Sequence, residues 1–135
     1  MKYFTTFKVR TYECDSYNHV NNANYLNYLE YARMDYLQQT GFDYEGIVKA
    51  GFYLYVTHID IYYKFSAVFG DELTVETSPV KLGAVSGTFH QIIRNQKNDV
   101  CAEADVSWAS VTTSGRPSRI PAQFMVPGLK PDFEG

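Results

Sequence analysis

Residues 21–40, Asn21-Asn22-Ala23-Asn24-Tyr25-Leu26-Asn27-Tyr28-Leu29-Glu30-Tyr31-Ala32-Arg33-Met34-Asp35-Tyr36-Leu37-Gln38-Gln39-Thr40, carry the only long helical pattern in the chain. Tyr25, Leu29, Ala32 and Tyr36 recur at the spacing of one helix face, with Leu26, Arg33 and Leu37 beside them. Asn27, Glu30, Tyr31, Met34 and Gln38 fall on the opposite side, which puts Tyr28 and Tyr31 off the core stripe. The spacing predicts a helix over 23–40. One of Asn21, Asn22 and Asn24 supplies its cap, and Gly41 stops it.

Working outward, Lys2 to Tyr12 alternates tolerably and predicts a first strand, followed by a loop over 13–22. Phe42 to Ala50 holds a second short helix ended by Gly51. Strands are then expected over 52–65, 72–82, 84–94 and 100–113, with Asn95 to Asp99 as a polar hairpin turn. In the first of these, Tyr53, Tyr55, Thr57, Ile59, Ile61 and Tyr63 alternate against Leu54, Val56, His58, Asp60, Tyr62 and Lys64. In the last, Val106 and Trp108 face one way, and Glu103 and Asp105 the other. The tail from Ser114 is proline-rich and irregular. The pattern is an α+β fold in a single domain over 1–135: one long helix gripped by a curved antiparallel sheet of about five strands. The open sheet edges invite pairing between subunits.

Bulk properties narrow the function classes. At 135 residues the chain fits one domain with a real core. No apolar run approaches the roughly 20 residues of a bilayer span. Met1 to Thr6 lacks an apolar signal core, so a cytoplasmic protein is expected. A net charge of −3 without a basic block argues against nucleic acid. Cys14 and Cys101 are too few for a disulfide framework or a zinc site. Cys14 adjoins Asp15, which raises a thiol pKa and disfavours a nucleophilic cysteine. Twelve Tyr, nine Phe and one Trp suit interfaces and channels for amphipathic ligands.

Chemistry concentrates in Asp15-Ser16-Tyr17-Asn18-His19-Val20-Asn21-Asn22, just ahead of the long helix. Within eight residues it supplies a carboxylate, an imidazole and the N–H donors of a helix start. Together these can perform acyl transfer on a carbonyl that reaches them. The same residue types also crowd turns and caps for backbone reasons alone.

Several pieces of the chain, in order, resemble the hotdog-fold acyl-CoA thioesterases, specifically the 4-hydroxybenzoyl-CoA thioesterase or YbgC-like group. Val9-Arg10-Thr11-Tyr12 leads into Asp15, Tyr25 stands ten residues later, and Glu30-Tyr31-Ala32-Arg33 follows. Ile61-Tyr62-Tyr63-Lys64-Phe65, Gly70-Asp71-Glu72-Leu73 and Ala102-Glu103-Ala104 complete the likeness. His19-Val20-Asn21-Asn22 is similar to acyl-ACP thioesterases, which are also hotdog proteins. Tyr17 and His19 fit neither group cleanly.

The resemblance implies hydrolysis of an acyl-CoA, or of an acyl-ACP, without metal or redox cofactor. It implies a homodimer or homotetramer with CoA lying across a subunit interface. It makes Asp15 the catalytic carboxylate, as nucleophile or general base. It makes the Asn22 backbone N–H the donor to the thioester oxygen. His19 orients water, polarises the carbonyl, protonates the leaving thiolate, or simply bonds within the loop. Tyr17, Tyr25 and Lys64 are the candidate substrate contacts, with Tyr25 equally at home in the core. Lys81, Arg94, Lys97 and Arg116 are the other cations of the sheet half. Glu30 and Arg33 read as a helix-surface ion pair or a subunit contact. His58 and His90 read as ordinary strand histidines. Rival readings are a MaoC-like enoyl-CoA hydratase and a non-catalytic acyl-CoA-binding hotdog protein.

Overall fold

The computed structural model describes residues 2–131; Met1 and residues 132–135 of the expected domain lie outside them. The elements in chain order are β1 (Tyr3–Lys8), α1 (Asn22–Gln39), α2 (Tyr44–Lys49), β2 (Phe52–Tyr63), β3 (Glu72–Leu82), β4 (Ser86–Arg94) and β5 (Val100–Thr112). The strands form one antiparallel sheet in the order β1-β3-β4-β5-β2. The α+β expectation therefore holds: one long helix lies on one face of a five-stranded sheet.

The long helix begins one residue earlier than its pattern suggests and is capped by Asn21, whose Oδ1 accepts the Ala23 N–H at 2.9 Å. Gly41, at φ +82°, ends it in a left-handed conformation that costs glycine no steric penalty. Its buried face is Tyr25, Tyr28, Leu29 and Ala32, clustered with Leu73, Val75, Ile93, Ala104 and Val106 of the sheet, and Tyr36 and Leu37, clustered with Phe89 and Trp108. Tyr28 is thus a core residue, not one off the stripe. Its ring packs on Phe7 and Tyr25, and its hydroxyl has a buried acceptor in Glu13.

Three further expectations change. The first strand stops at Lys8, and Thr11–Glu13 forms a short 3₁₀ turn tightened by Arg10 and Glu13. Glu30 and Arg33 make no ion pair among the described residues; Arg33 reaches under the helix and donates to Gln91 Oε1 at 3.0 Å. Burial pushes the Arg33 guanidinium pKa down. Gln91, fully buried, passes the bonding on to the Leu29 carbonyl and the Thr77 hydroxyl.

The third change concerns β2. Its register against β5 shifts between Val56 and His58, so Thr57 is an extra residue. A bulge of this kind reverses the side-chain alternation. Leu54 before it and Ile59 and Ile61 after it all pack toward the core, while Tyr53 and Tyr55 stack on each other at 5.6 Å. The single uninterrupted alternation read from the sequence does not survive.

On the sheet face away from α1, His90 is half-buried between two carboxylates. Nδ1 lies 2.8 Å from Asp105 and Nε2 lies 3.0 Å from Glu103. His58 likewise has a partner, Asp60, at 3.2 Å. Burial lowers the His90 pKa, but bonding to both acids outweighs it, so the net shift is upward from 6.5. A raised folded pKa gives stability that is complete below 6.5 and lost as pH rises through the folded value. We expect His90→Gln to destabilise the protein by about 1 kcal/mol or less. In thermal melts the gap to wild type should be wider near pH 6 than near pH 8.5. An equal gap at both values would contradict the pairing.

Candidate functional site

The Asp15 loop is a compact turn held at both ends. The Asp15 N–H donates to the His19 carbonyl at 2.8 Å, and the Asn18 N–H donates to the Asp15 carbonyl at 3.0 Å. Asn18 sits at φ +63°, a left-handed position that asparagine tolerates better than most residues. Cys14 pairs with Val20, and His19 with Val68, in short bridges that lash the turn to the segment after β2. The turn expected from Asp, Ser and Asn is real, and it organises the carboxylate.

Asp15 Oδ1 accepts the N–H of Tyr17 at 2.9 Å and that of His19 at 3.3 Å. Oδ2 takes no donor among the described residues, and the carboxylate joins no salt bridge there. One oxygen is therefore anchored, and the other carries no hydrogen bond among the described residues.

Asn22 is the first helical residue. Its N–H is one that no helix can satisfy internally. The Asn21 side chain takes the Ala23 N–H, and the Asn21 carbonyl takes that of Asn24 at 2.9 Å. The Asn22 N–H has no acceptor among the described residues. Its carbonyl accepts the Tyr63 hydroxyl at 3.2 Å, tying the helix start to β2. The helix adds roughly half a positive charge at this end.

Asp15, His19 and Asn22 line one cleft of about 220 Å³ together with Tyr25, Tyr63, Lys64, Phe65 and Ser66. Tyr25 is both core and wall: 3% exposed, edge-on to Tyr63, with its hydroxyl accepting the Ala67 N–H at 3.1 Å. Lys64 borders the cleft while paired to Glu103 at 2.8 Å. Tyr17 is not among the lining residues; its ring is 80% exposed, and its backbone N–H holds Asp15.

A second groove of about 520 Å³ shares His19, Lys64, Phe65 and Ser66 and reaches Gln96 and Lys97. Arg94 is committed to Glu76. A smaller apolar pocket of about 90 Å³ lies between α1 and β2, walled by Met34, Leu37, Leu54, Val56 and Trp108.

Tyr63, Phe65 and Ser66 are the site residues that sequence reasoning missed. Only the short match around Ile61 to Phe65 hinted at them. Burial and the nearby Glu13 and Asp15 carboxylates raise the Cys14 pKa, in line with an unreactive thiol. Among the described residues no three His, Cys, Asp or Glu side chains converge as a metal site, and no helix is long and apolar enough to cross a membrane.

Comparison with known proteins fits this geometry. The model of the Thioesterase-like superfamily matches residues 9–127. The chain is 34% identical over 108 residues to the long-chain acyl-CoA thioesterase FadM of Escherichia coli strain K12, covering 79% of this chain and 81% of FadM. The chain belongs to that superfamily. Among solved structures, YbaW, a probable thioesterase from Escherichia coli, superposes with a TM-score of 0.79 at 30% identity, covering 90% of this chain and 92% of YbaW. DHNA-CoA thioesterase from Staphylococcus aureus superposes with a TM-score of 0.84 at 24% identity, covering 87% and 80%, and supports the hotdog fold.

The first-turn geometry yields a sharp test. Proline is well accepted at the first helical position, and Asn21 already has the extended backbone (φ −63°, ψ 139°) that a following proline requires. Asn22→Pro therefore deletes one N–H and little else. If the Asn22 N–H serves as an oxyanion donor, turnover of a substrate should fall roughly 100-fold, with the melting temperature nearly unchanged. Asn22→Ala, which keeps the N–H, should stay near wild type. Equal loss in both variants would assign the effect to the side chain.

Proposed function

We propose that this member of the Thioesterase-like superfamily hydrolyses acyl-CoA thioesters, with Asp15 and the Asn22 N–H as its reactive pair. It is a thioester hydrolase by family. The observation that carries the residue assignment is the meeting, in the lining of one cleft, of a carboxylate oxygen without a donor and a helix N–H without an acceptor among the described residues.

The thioester oxygen takes the Asn22 N–H, so charge developing there meets a fixed donor and the positive end of α1. Asp15 Oδ2 acts on the carbonyl carbon. As a nucleophile it expels the thiolate, leaving an acyl anhydride that water then cleaves. As a base it takes a proton from the water that attacks. A thiolate is a good leaving group, since a thiol such as that of cysteine has a pKa of about 8.5. His19 lies where the cleft meets the larger groove, and there it serves the departing sulfur as a proton donor. The carrier runs along Lys64, Phe65 and Ser66, and the acyl group enters the apolar gap between α1 and β2.

The outer edge of β2 pairs with no strand among the described residues, and Tyr55, Val56, Tyr62 and Tyr63 along it are exposed. A second copy covering that edge makes the homodimer the working unit. Sedimentation at micromolar concentration should give a dimer or a tetramer built as a dimer of dimers; a monomer would overturn this.

Thiol release over a panel of acyl-CoAs and acyl-ACPs tests the activity. Asp15→Asn should retain the fold and lose at least about 1,000-fold in kcat. Binding without turnover by the wild type would favour a non-catalytic acyl-CoA binder. Water addition to an enoyl-CoA without thiol release would favour a hydratase. After a single turnover in ¹⁸O-water, label in the Asp15 carboxyl group identifies the nucleophilic route, with water attacking the aspartyl carbonyl of the anhydride.

A further inference from the structure

Glu13 is 6% exposed, lies two residues before Asp15, and is absent from the walls of the cleft. Its carboxylate is nevertheless fully engaged. Oε1 accepts the Arg10 N–H at 2.8 Å and the Tyr28 hydroxyl at 2.9 Å. Oε2 accepts Arg10 Nε at 3.1 Å and Nη2 at 2.8 Å. Its carbonyl accepts two more donors from the start of α1: the Asn21 N–H at 2.9 Å and Asn24 Nδ2 at 3.0 Å.

Asn24 and Tyr28 are four residues apart and so share a helix face. One residue thereby grips the N-cap, the first turn and the second turn of α1, and through Arg10 the end of the strand region. Tyr28 is itself fixed, its ring against Phe7 at 4.8 Å and Tyr25 at 6.0 Å.

The turn around Asp15 closes without Glu13, and the helix is capped by Asn21. Neither needs a buried carboxylate. The Arg10 side chain is half exposed, and an ion pair open to solvent adds little stability, so the charge pair alone does not account for the arrangement. What the arrangement does is fix the Asp15 turn against the first turn of α1. The two reactive groups, Asp15 Oδ2 and the Asn22 N–H, stand on those two pieces.

We propose that Glu13 is a positioning residue, a clamp that sets the separation of the Asp15 carboxylate from the Asn22 N–H; this rests on the thioesterase reading given above. A shift of about 1 Å between reacting groups is enough to cost on the order of 100-fold in rate. Burial tends to raise the Glu13 pKa, but the bonds from Arg10 and Tyr28 outweigh it, so the carboxyl stays ionised below the ordinary range and the clamp stays charged at neutral pH.

The test uses Glu13→Gln and Tyr28→Phe in the full chain. Tyr28→Phe keeps the ring and loses one hydroxyl, so it remains informative if the first variant folds poorly. Glu13→Gln should lower kcat about 10- to 100-fold with KM within about threefold, because no groove residue is touched. Tyr28→Phe should show the same split more weakly, and the double variant should be no worse than Glu13→Gln, as for two parts of one device. Amide exchange should quicken over residues 14–24 and stay unchanged in β3, β4 and β5. Unchanged exchange over 14–24 in both variants would overturn the clamp, as would a rise in KM with kcat intact. If wild type turns over no acyl thioester, the thioesterase reading fails. The exchange result then stands alone: quickening upholds Glu13 as the clamp of this loop on α1, and its absence refutes it.

Discussion

A helix cannot satisfy the N–H groups of its own first turn, and the architecture of this protein is organised around that constraint. Asn21 satisfies two of them, through its side chain to Ala23 and its carbonyl to Asn24. The N–H of Asn22, a residue lining the cleft, has no acceptor among the described residues. Around it stand a carboxylate held by the backbone of its own turn, a tyrosine from β2 on the adjoining carbonyl, and a buried Tyr25 as floor. The long core stripe of α1 matters to the site because it holds this helix end in place.

The sheet supplies the other half. With β2 at one edge, its bulge at Thr57 turns Leu54, Ile59 and Ile61 toward the helix side and leaves a row of tyrosines outside. The same strand carries Tyr63 to Asn22, and Lys64 just beyond its end borders the groove, so the segment that borders the site adjoins the unpaired edge. The proposed site and the proposed subunit edge therefore lie on one stretch of chain. A buried polar line of Arg33, Gln91 and Thr77 stitches the middle of α1 to β4 and β3, where an all-apolar contact would leave the helix freer to slide.

Local features were readable from the chain because their causes are local. The helix and its cap follow from period and from asparagine chemistry. The stops at Gly41 and Gly51 follow from left-handed backbone, and the hairpin at Asn95 to Asp99 from turn residues. Asp15, His19 and Asn22 were found together because the cleft uses neighbours in sequence. What escaped was set by distant partners. Tyr28 looked peripheral until Glu13, fifteen residues earlier, proved to be its acceptor. His90 looked unpartnered until β4 and β5 came into register, and Arg33 looked paired with Glu30 until Gln91 stood beneath it.

The order and kind of elements, the capped helix start and the turn that presents Asp15 are written in the chain itself. These depend on dihedral preferences and hydrogen bonds within a few residues. It took the packed fold to leave the Asn22 N–H without an acceptor among the described residues, to bring Tyr63, Phe65 and Ser66 to the wall of the cleft, and to make β2 change face halfway along. Those outcomes follow from register across strands and from the seat of α1 on the sheet. Both are settled by which surfaces bury one another, a property no single stretch of chain contains.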